Sequence, residues 1–223
     1  MITLLHINYS EDHSEKILPL GILSVGSALK SRGFDVELIN VNEKEIDKTV
    51  SRVLKQRPDY VGLSVMTGMQ TKHSAEFSKK LKEKSDIPVL WGGIHPSLLP
   101  HQCLEESYID FVVQGEGEET IIEFTEKFLS KEPLDSVLGL GFKKDGRIVL
   151  NPSRPLIADL NKWRLNFQLL DLEKFIFPLS RYKRVIAYKT SRGCPYRCAF
   201  CYNFIFNKSR WRAWSEEAVL EDI

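Results

Sequence analysis

Through roughly the first 130 residues, short continuous apolar runs alternate with stretches in which apolar positions recur every three to four residues. The first kind of pattern predicts a buried strand, the second one apolar helix face. Residues 2–7 form the first run. Residues 21–31 follow with Ile22, Val25 and Leu29 at helical spacing, and Gly33 stands where a helix C-cap is expected. Residues 36–41 predict a second strand. Ile46, Val50, Val53 and Leu54 mark a second helix, which Pro58 ends. Residues 60–65 predict a third strand, 71–85 a helix with the weaker face Ala75, Phe77 and Leu81, 88–91 a fourth strand and 111–113 a fifth. A helix carrying Ile121, Phe124, Phe128 and Leu129 comes next. Strands alternating with helices predict βαβ units and an α/β fold on a mostly parallel, doubly wound sheet.

The rhythm then changes. Residues 138–142 and 147–150 flank Lys144-Asp145-Gly146, which predicts a hairpin with a solvated turn at Lys143-Lys144. Residues 151–183 carry Pro152, Pro155 and Pro178 among scattered apolar positions and read as a linker that packs on something. Residues 185–190 predict a fresh strand, and Ser215 opens a last helix with Glu216 and Glu217 in its first turn, where acids suit the helix dipole. The expected organisation is a first domain over 1–135, a hairpin and linker over 136–184, and the beginning of a second domain over 185–223. One strand, one loop and one helix cannot close a core, so that second domain is expected to be cut off or to need a partner, and the chain alone to be inactive.

Basic and acidic residues nearly cancel, 31 against 30, for a net charge of +1. A nucleic-acid or anionic-membrane binder would show a basic excess. No apolar run reaches the ~18 residues that span a bilayer, and the N-terminus MITLLHINYS lacks the marks of a signal peptide. Of four cysteines, three fall within eight residues, which points to the reducing cytoplasm and to metal or redox chemistry.

Those three are Cys194, Cys198 and Cys201, spaced C-x3-C-x2-C. Zinc asks for four ligands, whereas Cys103 lies far upstream and His6, His13, His73, His95 and His101 all belong to the first domain. An iron–sulfur cluster with one open iron fits the spacing better; structural zinc and three unrelated thiols remain the alternatives. The run Thr190-Ser191-Arg192-Gly193-Cys194-Pro195-Tyr196-Arg197-Cys198-Ala199-Phe200-Cys201 resembles the signature of radical S-adenosylmethionine enzymes, with Phe200 as its aromatic position. Trp211-Arg212-Ala213-Trp214-Ser215-Glu216-Glu217 resembles the segment that opens the first barrel helix in a large subgroup. The resemblance implies that the three cysteines bind a [4Fe-4S] cluster and that S-adenosylmethionine chelates its open iron. It also implies that one electron, from a donor such as flavodoxin or ferredoxin, yields a 5′-deoxyadenosyl radical, and that a partial (β/α) barrel begins here.

Three glycine-rich or polar turns fall at predicted strand ends: Ser64-Val65-Met66-Thr67-Gly68, Trp91-Gly92-Gly93-Ile94-His95-Pro96 and Gln114-Gly115-Glu116-Gly117-Glu118. Ligands of doubly wound sheets bind at those ends, although each turn taken singly could be ordinary. Together with Leu18-Pro19-Leu20-Gly21-Ile22-Leu23 they resemble the Rossmann-like cobalamin-binding domain that precedes the radical domain in one subclass. That implies a nucleotide-tail pocket at Ser64, Thr67, Gly92 and Gly93, with Leu20, Gly21, Met66, Ile94, His95, Gly115, Glu116 and Gly117 as further cofactor contacts. One departure stands out: residues 8–14 do not form the D-x-H-x-x-G motif whose histidine binds cobalt elsewhere. Outside the resemblance, His6 reads as a packed core residue, His95 as a ligand contact or helix cap, Glu116 and Glu118 as helix-dipole acids, and Cys103 as an idle or buried thiol. The resemblance implies the N-terminal part of a cobalamin-dependent radical enzyme, with methyl transfer to an unactivated carbon of a small molecule or peptide as the expected reaction and the ring rearrangement or cyclisation of some relatives left open beside it. A radical enzyme that has lost cobalamin, and a non-enzymatic module with a metal loop, are the alternatives.

Overall fold

The computed structural model describes residues 1–8 and 17–222. Five strands run parallel: β1 (Ile2–Asn8), β2 (Val36–Asn42), β3 (Val61–Ser64), β4 (Val89–Gly92) and β5 (Phe111–Val113). The helices between them are α1 (Leu20–Ser31), α2 (Ile46–Gln56), α3 (Met69–Lys82), α4 (Ile94–Leu98) and α5 (Pro100–Glu105), with α6 (Glu118–Leu129) after β5. Strand order is β2-β1-β3-β4-β5, so the chain reverses direction across the sheet between β1 and β3. Crevices at the carboxyl ends of strands beside such a switch point take ligands.

Local chemistry explains the element ends. At the end of α1 the Phe34 amide donates to the Leu29 carbonyl (3.2 Å) and the Gly33 amide to the Lys30 carbonyl (3.0 Å), a Schellman pair. Helix α2 ends at Gln56, two residues before Pro58, with Arg57 between them left-handed at φ 47°. One side of the sheet packs Ile22, Leu29, Ile121 and Phe124 from α1 and α6; the other packs Val50, Val53, Phe77 and Leu81 from α2 and α3.

Several expectations shift. Leu129 is 43% exposed; it lies about 100° around the helix from Phe128, off the apolar face. Helices α4 and α5 are too short to show periodicity, yet α5 buries Cys103 and Leu104 against the sheet. Burial pushes the Cys103 thiol up to about 11. The hairpin β6 (Leu140–Lys144) and β7 (Arg147–Leu150) extends the main sheet antiparallel to β5, giving it seven strands among the described residues. Lys143 is more than a solvated turn residue: its ammonium donates to the Glu106 and Ile109 carbonyls at 2.6 and 2.8 Å.

Residues 151–176 wrap over α1 and α6 in short 3-10 turns, and Ile157, Leu160 and Trp163 join the core on that side. The fresh strand expected at 185–190 is not formed: β8 (Phe177–Leu179) and β9 (Tyr182–Val185) make a hairpin, and no described strand pairs with 186–190. A strand without a ladder partner leaves its amides and carbonyls to solvent. Beyond it come β10 (Ser191–Arg192), antiparallel to β11 (Arg212–Ala213), a short α7 (Asn203–Phe206) and α8 (Glu216–Asp222), capped by the Ser215 hydroxyl, which accepts from the Ala218 amide at 3.2 Å.

Candidate functional site

A cavity of about 570 Å³ opens at the carboxyl edge of β1, β3, β4 and β5, over the start of α1. Its lining is mainly apolar, from Leu4, Leu63, Leu90, Val113 and Ile121 among others. Of the residues singled out in the sequence, Leu20, Gly21, Ser64, Met66, Gly92, Gly93, Ile94, Gly115, Glu116 and Gly117 line it. A Cβ on Gly21 would sit 2.9 Å from the Ser64 hydroxyl, so α1 enters close against the β3 end. Gly93 has φ +97°, and a Cβ there would lie 2.9 Å from the Val65 carbonyl oxygen; only glycine fits that conformation and that approach. The Ser97 hydroxyl donates to the Gly93 carbonyl (2.6 Å) and accepts from the Gly115 amide (2.9 Å), locking the β4 and β5 turns together.

Thr67 and His95 fall just outside the wall, the Thr67 hydroxyl 3.1 Å from His95 Nδ1. Burial lowers the His95 pKa. His6 is half-buried rather than packed in the core: it lines the cavity, its Nε2 3.3 Å from the Gln70 side-chain nitrogen. Desolvation lowers its pKa, against the opposing effect of hydrogen bonds with Asn8 and the Ser64 backbone. Of the motif region at 8–14, all but Asn8 lies outside the described residues.

The far wall comes from the cysteine segment: Lys189, Ser191, Arg192, Gly193 and, around α7, Tyr202, Asn203, Phe206 and Asn207. Sequence reasoning missed this wall. Its only signal was the i, i+3, i+4 spacing of Asn203, Phe206 and Asn207. The wall is held by an ion-pair network. Arg192 pairs with Glu116 (3.0 Å) and with Glu118, and Arg212 pairs with Glu116 (2.8 Å). The Ser24 hydroxyl donates to Glu118 and accepts from Arg192 at 3.0 Å. Glu118 is 3% and Arg192 12% exposed. Burial alone would raise the Glu118 pKa; the Arg192 charge, with hydrogen bonds from Arg192 and Ser24, outweighs it and holds the carboxyl below its ordinary value. The two acids therefore do more than suit the dipole of α6. Arg192 also lies over the Trp214 ring, 5.2 Å from its centroid.

Gly193 follows at φ +90°, and a Cβ there would fall 1.9 Å from the Arg210 carbonyl oxygen, which leaves no alternative to glycine at the crossing of β10 and β11. Cys194 and Cys201 are half-buried and Cys198 exposed, all as free thiols, and the Cys201 amide donates to the Cys198 carbonyl at 3.0 Å. Phe200 is 94% exposed. Among the described residues no three His, Cys, Asp or Glu side chains are gathered as a single metal ion would require. The donor set itself, three thiols on one loop with no carboxylate or imidazole among them, suits a thiolate-ligated iron–sulfur cluster. The glycine-lined, apolar cavity suits an organic cofactor.

Residues 14–125 match the B12 binding domain family. The chain is 31% identical over 215 residues to an anaerobic magnesium-protoporphyrin IX monomethyl ester cyclase of Synechocystis sp., across 94% of this chain and 42% of that protein. It is 30% identical over 211 residues to an uncharacterized methyltransferase of Pyrococcus horikoshii, across 92% of this chain and 45% of that one. The solved structure of OxsB, a cobalamin-dependent S-adenosylmethionine radical enzyme with aqua-cobalamin bound, superposes with a TM-score of 0.78 at 25% identity, over 99% of this chain and 30% of its own. The chain thus spans less than half the length of these relatives. With a B12-type sheet, a cavity at its carboxyl edge and a family match over half its residues, the chain belongs to the B12 binding domain family and is a homologue of the cobalamin-dependent radical S-adenosylmethionine enzymes.

Proposed function

We propose that this chain is the cobalamin-binding part, with the cluster-binding loop attached, of a cytoplasmic radical S-adenosylmethionine enzyme that methylates an unactivated carbon of a small molecule or peptide. Residues 1–135 hold the corrinoid, 136–184 connect, and 185–223 begin the radical domain. The observation that carries this reading is the shared wall: the segment leading into Cys194 closes the cavity that the B12-type sheet opens. Ser64, Gly92 and Gly93 line the nucleotide tail, with Thr67 and His95 bracing the turn beside it. About 570 Å³ lies within the ~300–1,000 Å³ of small-ligand sites, room for the tail rather than for the whole corrinoid. Cys194, Cys198 and Cys201 ligate the [4Fe-4S] cluster. When bound, the cluster supplies the electron that cleaves S-adenosylmethionine to a 5′-deoxyadenosyl radical, and the corrinoid supplies the methyl group. The apolar wall excludes water from reactive species, and Arg192 anchors the cysteine loop. A flavodoxin or ferredoxin delivers the electron; no nucleic acid or membrane takes part. No helix among the described residues is long and apolar enough to cross a membrane.

Anaerobic treatment with iron and sulfide tests the cluster. Wild type is expected to take up about four iron and four sulfide per chain with broad charge-transfer absorption. Cys194→Ala, Cys198→Ala and Cys201→Ala should each abolish it, and Cys103→Ala should leave it intact. Loss of the cluster in Cys103→Ala would refute the ligand assignment. A second reading, ring formation instead of methyl transfer, is favoured by the cyclase among the relatives. Product analysis on the full-length enzyme separates the two.

A further inference from the structure

Glu116 and Glu118 line the cavity at the end of β5 and the start of α6, while Arg192 lines it from the other side and stands two residues before Cys194. Both acids are almost fully buried and both bind Arg192. Arg212 extends the contact: it pairs with Glu116, donates to the Ile157 carbonyl at 2.6 Å and to the Asn207 side-chain oxygen at 3.1 Å. Asn207 lines the cavity too. Only Gly193 separates Arg192 from Cys194, and the Arg210 carbonyl lies so close that no side chain fits there, so a displacement of Arg192 reaches Cys194 through a single residue. A buried charge cannot leave its partner without a large desolvation cost, so the network has few arrangements and moves as a unit.

We propose that the Glu116–Arg192–Glu118 network, with Arg212, couples the corrinoid cavity to the cysteine loop. A corrinoid pressed against the wall stiffens the cysteines, and a cluster on the cysteines tightens the cavity. Arg192 is the positioning residue through which each site acts on the other. The proposal rests on the cobalamin and cluster assignments above. Coupling of this kind is reciprocal: each ligand must strengthen the other by the same factor.

The test uses the 223-residue chain and hydroxocobalamin as probe, read by hydrogen–deuterium exchange of peptides and by equilibrium titration. In the metal-free wild type, hydroxocobalamin is expected to slow exchange at residues 64–67 and 92–95 and also at 190–201. Cluster reconstitution is expected to tighten hydroxocobalamin binding about 5- to 150-fold, the usual span of allosteric coupling. Glu118→Gln and Arg192→Met should keep protection at 64–67 and 92–95, lose it at 190–201, and shrink the cluster-dependent tightening below twofold. Arg192→Lys, which keeps the charge without the fork, should fall between. A merely structural role would alter exchange without ligand and leave the ligand-dependent difference unchanged. Protection at 64–67 and 92–95 without any at 190–201 in the wild type would overturn the coupling and spare the cobalamin assignment. Absence of any hydroxocobalamin binding would overturn both.

Discussion

Gly93 carries two constraints at once, a left-handed backbone and a Cβ position 2.9 Å from the Val65 carbonyl oxygen. Gly93→Val therefore costs roughly 1–3 kcal/mol of backbone strain and opens the β3 and β4 turns that frame the cavity. Hydroxocobalamin affinity is expected to fall about tenfold or more, equivalent to ~1.4 kcal/mol. His95→Ala removes a hydrogen bond to Thr67 outside the wall and should change affinity far less. Equal losses in the two variants, at equal thermal stability, would remove Gly93 from the site. The place of this glycine in a turn at a strand end was legible in the sequence, because the apolar run before it marks the strand and two further glycine-rich or polar turns recur at the ends of its neighbours. His6 and Arg192 were not. Hydrophobic rhythm says which strand His6 occupies but not that a void lies beside it, and the partner of Arg192 at Glu118 lies 74 residues away.

Helix α6 and strand β10 meet through that pair, and the meeting sets a pH dependence. The folded Glu118 carboxyl titrates below its ordinary 4.5. A depressed carboxylate contributes stability that is full above the unfolded value and is lost as pH falls through the folded one. Glu118→Gln is expected to lower stability by roughly 1–3 kcal/mol at neutral pH, since Arg192 keeps Glu116 as a partner, and to flatten the acid limb of the stability curve below pH 4.5. Denaturant melts from pH 7 to 3 read both; an unchanged acid limb would show that Glu118 does not titrate with folding. Among elements, β1 to β5 and the four long helices followed from apolar periodicity, because each buries one side in one core. Helices α4 and α5 span fewer than two turns each, too little for a period to register. The attachment of the hairpin to β5 depends on pairing across sequence, which no local pattern encodes. The segment at 186–190 has strand-like composition, but strand formation requires a neighbour.

At the scale of the molecule, the parallel direction of β3, β4 and β5 places the three turns that follow them on one edge, and residues 151–222 fold back over α1 and α6 so that the cysteine segment closes that edge. Alternating strands and helices made the doubly wound sheet readable, and the cysteine spacing made the loop readable. The union of the two into one walled cavity was not, since it depends on charges brought together by the fold. The central claim is that one chain holds both a corrinoid and an iron–sulfur cluster. It is tested most directly by measuring cobalt, iron and sulfide in a single sample, reconstituted anaerobically with hydroxocobalamin present and then desalted. About one cobalt with about four iron and four sulfide per folded chain is the expected result. A folded chain that retains about one zinc, with neither iron nor cobalt, would contradict it.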